Sequence, residues 1–250
     1  MKKMLLACGA AMLLSGCVYE TRSVLSKEAR VEQEMAVKDF VAIDISGSPT
    51  VTYEQGDSVR IVVSGPESQV KNISVYADGG RLKVTPKQKN SLLKMNSVSE
   101  VTVHVVSPDL VGVTLSGSGD FVCNTPLDTD TLTLLLRGSG DISIASVVCD
   151  RLIAELLGSG DIDVKQAQTQ LASFSLTGSG DIDAKLRNTT RTDISLVGSG
   201  DIDIAFDKCR EVDCQLRGSG DIELSGEIEH IKEQKSGSGD IDKGKLTLIR

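Results

Sequence analysis

Carboxylates at a fixed spacing are the residues of this chain best placed to do chemistry. Asp120, Asp141, Asp161, Asp181, Asp201, Asp221 and Asp240 each close a Gly-Ser-Gly-Asp tetrapeptide, at intervals of 21, 20, 20, 20, 20 and 19 residues. Two positions further on stand Asp163, Asp183, Asp203, Glu223 and Asp242, with Val122 and Ser143 taking that place in the first two units. Paired carboxylates can pass protons in acid–base catalysis, and clustered ones can surround Ca²⁺ with oxygens. Which of these applies depends on what the repeat does with the acids.

A period near 20 residues held over six intervals marks stacked supersecondary units. Aligned on the aspartates, the apolar positions form columns. Five residues earlier come Leu115, Leu136, Leu156, Leu176, Leu196 and Leu216, and one residue later Phe121, Ile142, Ile162, Ile182, Ile202, Ile222 and Ile241. Apolar and polar residues alternate on both sides of the corner, the period of a strand with one buried face. Each unit therefore reads as strand, tight corner, strand and a variable return such as KQAQTQ or KLRNTT. One unit cannot bury its inner face alone, whereas a stack can.

The fold expected is all-β: a single-domain parallel β-helix of about 20 residues per coil, with right-handed winding favoured by that length. The corner glycines are Gly117 and Gly119, Gly138 and Gly140, Gly158 and Gly160, Gly178 and Gly180, Gly198 and Gly200, Gly218 and Gly220, and Gly237 and Gly239. A sharp bend needs positive φ or close backbone approach, and glycine supplies either. The last unit replaces core residues with Glu233, Lys235 and Lys243, charges that would blunt an open strand edge.

Residues 111–250 thus form the regular repeat with a polar C-terminal cap. Residues 39–110 alternate less regularly, as in VAIDI and VTVHVV, and read as irregular first coils, with a separate β domain as the alternative. Ile45-Ser46-Gly47-Ser48-Pro49-Thr50-Val51 looks like a worn copy of the corner.

The chain opens MKKMLLACGAAMLLSGC, two lysines followed by an apolar run too short to span a bilayer. Leu14-Ser15-Gly16-Cys17 resembles the lipobox of bacterial lipoproteins. That resemblance implies a signal peptide at 1–16, acylation of Cys17, and anchorage in the outer membrane, with 17–38 as anchor and tether. Removing 1–16 leaves 25 basic side chains against 35 acidic ones, so nucleic acid is not an expected partner.

Cys123, Cys149, Cys209 and Cys214 match no paired metal pattern; they read as small buried hydrophobes or isolated thiols, with disulfides as the alternative. Tryptophan is absent and tyrosines number three, a poor supply of platforms for sugar rings. His104 and His230 lack a nearby nucleophile pattern and read as ordinary polar residues.

Taken together, the lipobox, the alternating VKDFVAIDISGSPTVTYEQGD segment and the LSGSGD repeats resemble the auto-transporter adhesin "head GIN domain" family of Bacteroidetes lipoproteins. The resemblance implies a β-helical extracytoplasmic domain with an adhesive role, and it carries over no catalytic residue. A non-enzymatic surface scaffold is therefore expected, with a surface protein or glycan as partner and no cofactor. Two rivals remain: a polysaccharide-binding or polysaccharide-degrading β-helix, and a calcium-stabilised scaffold. The calcium rival would place the cation among Asp141, Asp161, Asp163, Asp181, Asp183, Asp201, Asp203 and Asp221, since the corner looks a little like the glycine-aspartate repeat of calcium-binding β-rolls.

Overall fold

The computed structural model describes residues 28–87 and 98–249. They form a parallel β-solenoid, wound as β8 (Gly112–Gly117), β9 (Asp120–Asp128), β10 (Thr131–Gly138), β11 (Asp141–Gly158), β12 (Asp161–Gly178), β13 (Asp181–Gly198), β14 (Asp201–Gly218), β15 (Ile222–Gly237) and β16 (Ile241–Leu248). From β11 onward each coil is stacked in parallel on the one before, with Asp141 on Asp161, Ile142 on Ile162 and Leu156 on Leu176. The leucine and isoleucine columns are buried throughout, as is a further column of Leu132, Leu152, Ala172, Thr192 and Val212. All of them except the polar Thr192 belong to one continuous apolar core.

The return between coils is not a loop. Strands β11 to β14 run unbroken through it, 18 residues each. A second buried column stands at this bend: Thr129, Cys149, Thr169, Thr189, Cys209 and Ile228. Within it Thr169 Oγ1 donates to the Leu171 carbonyl at 3.1 Å and Cys209 Sγ to the Glu211 carbonyl at 3.5 Å, whereas the hydroxyls of Thr129 and Thr189 are buried without a partner among the described residues. Asn188 and Lys208, at φ 53° and 67°, make the bend ahead of Thr189 and Cys209.

In the N-terminal half, the chain does not wind in sequence order. Strands β2 (Ala42–Gly47) and β3 (Thr50–Gln55) form a coil beneath β8 and β9. The chain then leaves through β4 (Arg60–Pro66), the short helix α1 (Glu67–Val70) and β5 (Ile73–Asp78). It returns through β6 (Arg81–Pro86) and β7 (Thr102–Ser107), which stack in parallel on the outer side of β2 and β3. Antiparallel partners finish this end: β5 on β6, β4 on β7, and β1 (Arg30–Glu34) on β4.

Within the segment expected as anchor and tether, 17–38, residues 30–34 form strand β1 on β4, and 17–27 lie outside the described residues. Val31 in this strand, and Met35 and Val37 just beyond it, are partly buried against the core, so the segment gains apolar burial. The worn corner stacks like the others: Gly47 lies on Gly117 and Thr50 on Asp120. At the far end Glu233 keeps its register place on Cys214 but is exposed, and it pairs with Lys243 at 2.6 Å.

Candidate functional site

Each corner is built on the one below it. The N–H of Ser118 donates to the Gly47 carbonyl at 2.9 Å, and the same bond recurs from Ser139 to Gly117, Ser159 to Gly138, Ser179 to Gly158, Ser199 to Gly178, Ser219 to Gly198 and Ser238 to Gly218. Both glycines of a corner lie against the coil beneath, where a Cβ would meet a carbonyl oxygen, and the first needs its backbone freedom as well. The first has positive φ, from 125° at Gly237 to 149° at Gly158. The second has no such φ, but a Cβ on Gly140, Gly160, Gly180, Gly200, Gly220 or Gly239 would lie within 2.0 Å of a glycine carbonyl oxygen in the coil beneath.

The corner aspartates complete this stack. Asp141 Oδ1 accepts the backbone N–H of Asp161 at 3.3 Å, Asp161 that of Asp181 at 3.2 Å, Asp181 that of Asp201 at 3.1 Å, Asp201 that of Asp221 at 2.9 Å, and Asp221 that of Asp240 at 2.7 Å. Serine N–H groups are taken by the glycine carbonyls, which leaves the aspartate N–H seeking an acceptor. The carboxylate one coil below supplies it. At the first corner Asp120 Oδ2 instead accepts the Thr50 hydroxyl at 3.2 Å.

The second acidic column has no such partner chain. Asp163, Asp183, Asp203 and Glu223 stand in parallel register on successive coils. Burial, and then the charges of Asp203, Asp163, Asp181 and Asp161, push the Asp183 carboxyl above its ordinary range. Burial and Glu223 push Asp203 up, with Lys245 opposing. Asp181, Asp183, Asp201, Asp203, Asp221 and Glu223 line a groove of about 330 Å³. Among the described residues, no three His, Cys, Asp or Glu side chains are arranged to hold a metal ion.

The sign of the pH effect follows from the raised pKa. A carboxyl held above its unfolded value costs stability at all pH values above its folded pKa, and the cost disappears as the pH falls through that pKa to the ordinary value. Asp183→Asn is therefore expected to stabilise the protein at pH 7 by about 1 kcal/mol, the scale of neighbouring charges about 4.8 Å apart in screened solvent. The gain should vanish in acid. Melting curves with Ca²⁺ and with a chelator check it: a wild-type melting temperature raised by Ca²⁺, but not in the variant, would assign the column to a cation.

The other candidate side chains are dispersed. Cys17 lies outside the described residues. Arg137 and Arg217 occupy one outward column, separated by Leu157, Thr177 and Val197, so they stand about 19 Å apart by strand spacing and cannot share one small ligand. His104 Nδ1 sits 3.0 Å from the Thr52 hydroxyl. All four described cysteines are free and buried. Burial pushes the Cys214 thiol up to about 12 and raises Cys123, Cys149 and Cys209 too, so none is poised as a thiolate nucleophile.

Two charge clusters had no signal in the repeat. Arg191 pairs with Asp193, with Glu211 at 3.1 Å and with Asp213 at 3.6 Å. Asp44 is clasped by Arg81 and by Lys83, whose Nζ lies at 2.7 Å. Arg191 and Glu211 hold the same offset from their corners on adjacent coils, but the residue type changes from coil to coil down that column, and the clasp on Asp44 depends on β6 stacking on β2 out of sequence order.

The fold and its corner define a class: a parallel β-solenoid whose repeated polar residues join coil to coil. The chain belongs to the family described as "putative auto-transporter adhesin, head GIN domain", whose model matches residues 39–208 and again 186–249. A solved putative adhesin from Bacteroides fragilis is similar at 26% identity and TM-score 0.76, over 85% of this chain and 96% of its own. A putative adhesin from Parabacteroides distasonis shares 19% identity at TM-score 0.72, covering 86% of this chain and 97% of its own. A protein from the same species titled a putative lipid binding protein shares 24% identity at TM-score 0.65, over 88% and 97%. The last two show the common fold. No curated protein matches the chain. Among the described residues, no helix is long and apolar enough to cross a membrane.

Proposed function

We propose that the protein is a non-enzymatic envelope lipoprotein, held in the outer membrane by lipid on Cys17, that presents a rigid solenoid for attachment at the cell surface. The observation that carries this reading is the use made of the repeated acids. Each corner carboxylate from Asp141 to Asp221 accepts the N–H of the next coil's aspartate, so the conspicuous polar residues serve the rod itself. A polysaccharide-cleaving site would need acids and a base gathered irregularly in one groove. The adhesin description of the family supports an attachment role, and the Leu14-Ser15-Gly16-Cys17 tetrapeptide supports the anchor.

Palmitate labelling, protease shaving of intact cells and an adherence assay test this together. The wild type is expected to be labelled, to fractionate with the outer membrane and to be cleaved on whole cells, while Cys17→Ser is unlabelled and released. A deletion strain should adhere less. An unlabelled wild type, or one protected on intact cells with adherence unchanged by the deletion, would overturn the reading.

A further inference from the structure

We infer that the concave outer face of β5, β6, β2 and β8 is a binding groove for a short uncharged saccharide, an inference that rests on the attachment reading and gives it a ligand class. The groove has a volume of about 760 Å³. It lies at the N-terminal end of the solenoid, away from the acid ladder. Pairing across its floor puts Tyr76 beside Lys83, Lys83 beside Asp44, and Asp44 beside Thr114, a row about 14 Å long over four strands. That length suits a short oligosaccharide.

The chemistry of the lining favours sugar. Tyr76 is 46% exposed, whereas every other aromatic side chain among the described residues is buried. An exposed ring offers an apolar platform with a polar tip. Thr114 ends the row and the hydroxyls of Ser46, Thr85 and Ser116 flank it, and each can donate and accept, as sugar hydroxyls do.

Asp44 is a fixed acceptor at the centre. Arg81 Nε donates to it at 2.8 Å and Lys83 Nζ at 2.7 Å, and Arg81 also reaches Thr114 Oγ1 at 3.2 Å. Two carboxylates, Asp44 and Asp78, balance two cations, Arg81 and Lys83. A groove without net charge, on a chain of net charge −8, selects an uncharged ligand over a polyanion. A peptide strand would add along the free edge of β5, whereas the row of Lys83, Asp44 and Thr114 runs across the paired faces of β6, β2 and β8.

The test probes the purified full chain in detergent against an array of uncharged oligosaccharides ending in glucose, galactose, mannose or N-acetylhexosamine, with sialylated and sulfated counterparts. Calorimetry with the strongest binder follows. The wild type is expected to bind uncharged members, and Tyr76→Ala to bind about tenfold more weakly with its melting temperature unchanged. Asp44→Asn should weaken binding too, while Arg217→Ala, coils away, leaves it intact. No binding to uncharged members, a preference for sialylated or sulfated ones, wild-type binding by Tyr76→Ala, or a dimer lost in Tyr76→Ala would each overturn the inference. Adherence separates the two readings. If binding to the array persists but deletion leaves adherence intact, attachment fails and the groove stands; if adherence needs the chain but not Tyr76, and the array is blank, the groove alone fails.

Discussion

Gly180→Ala is expected to lower the free energy of unfolding by about 4 kcal/mol, at the upper end of single-substitution effects. The backbone conformation at Gly180 is not the obstacle, since its φ is not positive. Space is the obstacle: the added Cβ would stand 2.0 Å from the Gly160 carbonyl oxygen and 3.0 Å from Leu156 Cδ2. To make room, the coil would have to rise off its neighbour. Two bonds resist that movement, from Ser179 N–H to the Gly158 carbonyl at 2.9 Å and from Asp181 N–H to Asp161 Oδ1 at 3.2 Å. In a solenoid each coil depends on its neighbours' interfaces, so a local break is felt along the stack.

Phe174→Ala is expected to cost about 4 kcal/mol by a different route, an unfilled cavity. Phe174 is 1% exposed and stands between Ala154 below and Ile194 above in its column. Its ring offsets the small side chain one coil down. In the variant two alanines would face each other in adjacent coils, and strands held at about 4.8 Å by backbone hydrogen bonds cannot close around the gap. Urea unfolding should show a lower midpoint with an unchanged slope, because the surface exposed on unfolding is nearly the same. Phe174→Leu should recover much of the loss.

The regular coils were legible in the sequence because their stacking is in register. Every aspartate from Asp141 to Asp201 lies on its counterpart one coil away, so a period in the chain is a column in space. Legibility fails where that register slips. Between β12 and β13 the pairing passes from Val164 on Ala184 to Ala167 on Leu186, and the return column of Cys149, Thr169, Thr189 and Cys209 mixes two residue types that share small size and burial. The out-of-order placement of β6 and β7 left no trace either, since it depends on pairings distant in sequence. The corner carboxylates were recognisable as turn acceptors, but their donor was not. Stacking commits the serine N–H groups to glycine carbonyls and turns the aspartate's own N–H toward the carboxylate one coil below, a pairing set by register and not by neighbours in the chain.

The claim that the recurring corner exists for coil-on-coil contact is tested most directly by urea unfolding of Gly180→Ala beside Gly79→Ala. Gly79 lies in the hairpin between β5 and β6 at φ 58°, with nothing within 4 Å of an added Cβ. Alanine there should cost only about 1 kcal/mol, the strain of a left-handed backbone. A loss several times larger at Gly180, despite its ordinary φ, is the predicted result. Equal losses at the two positions, or a smaller one at Gly180, would contradict the stacked corner.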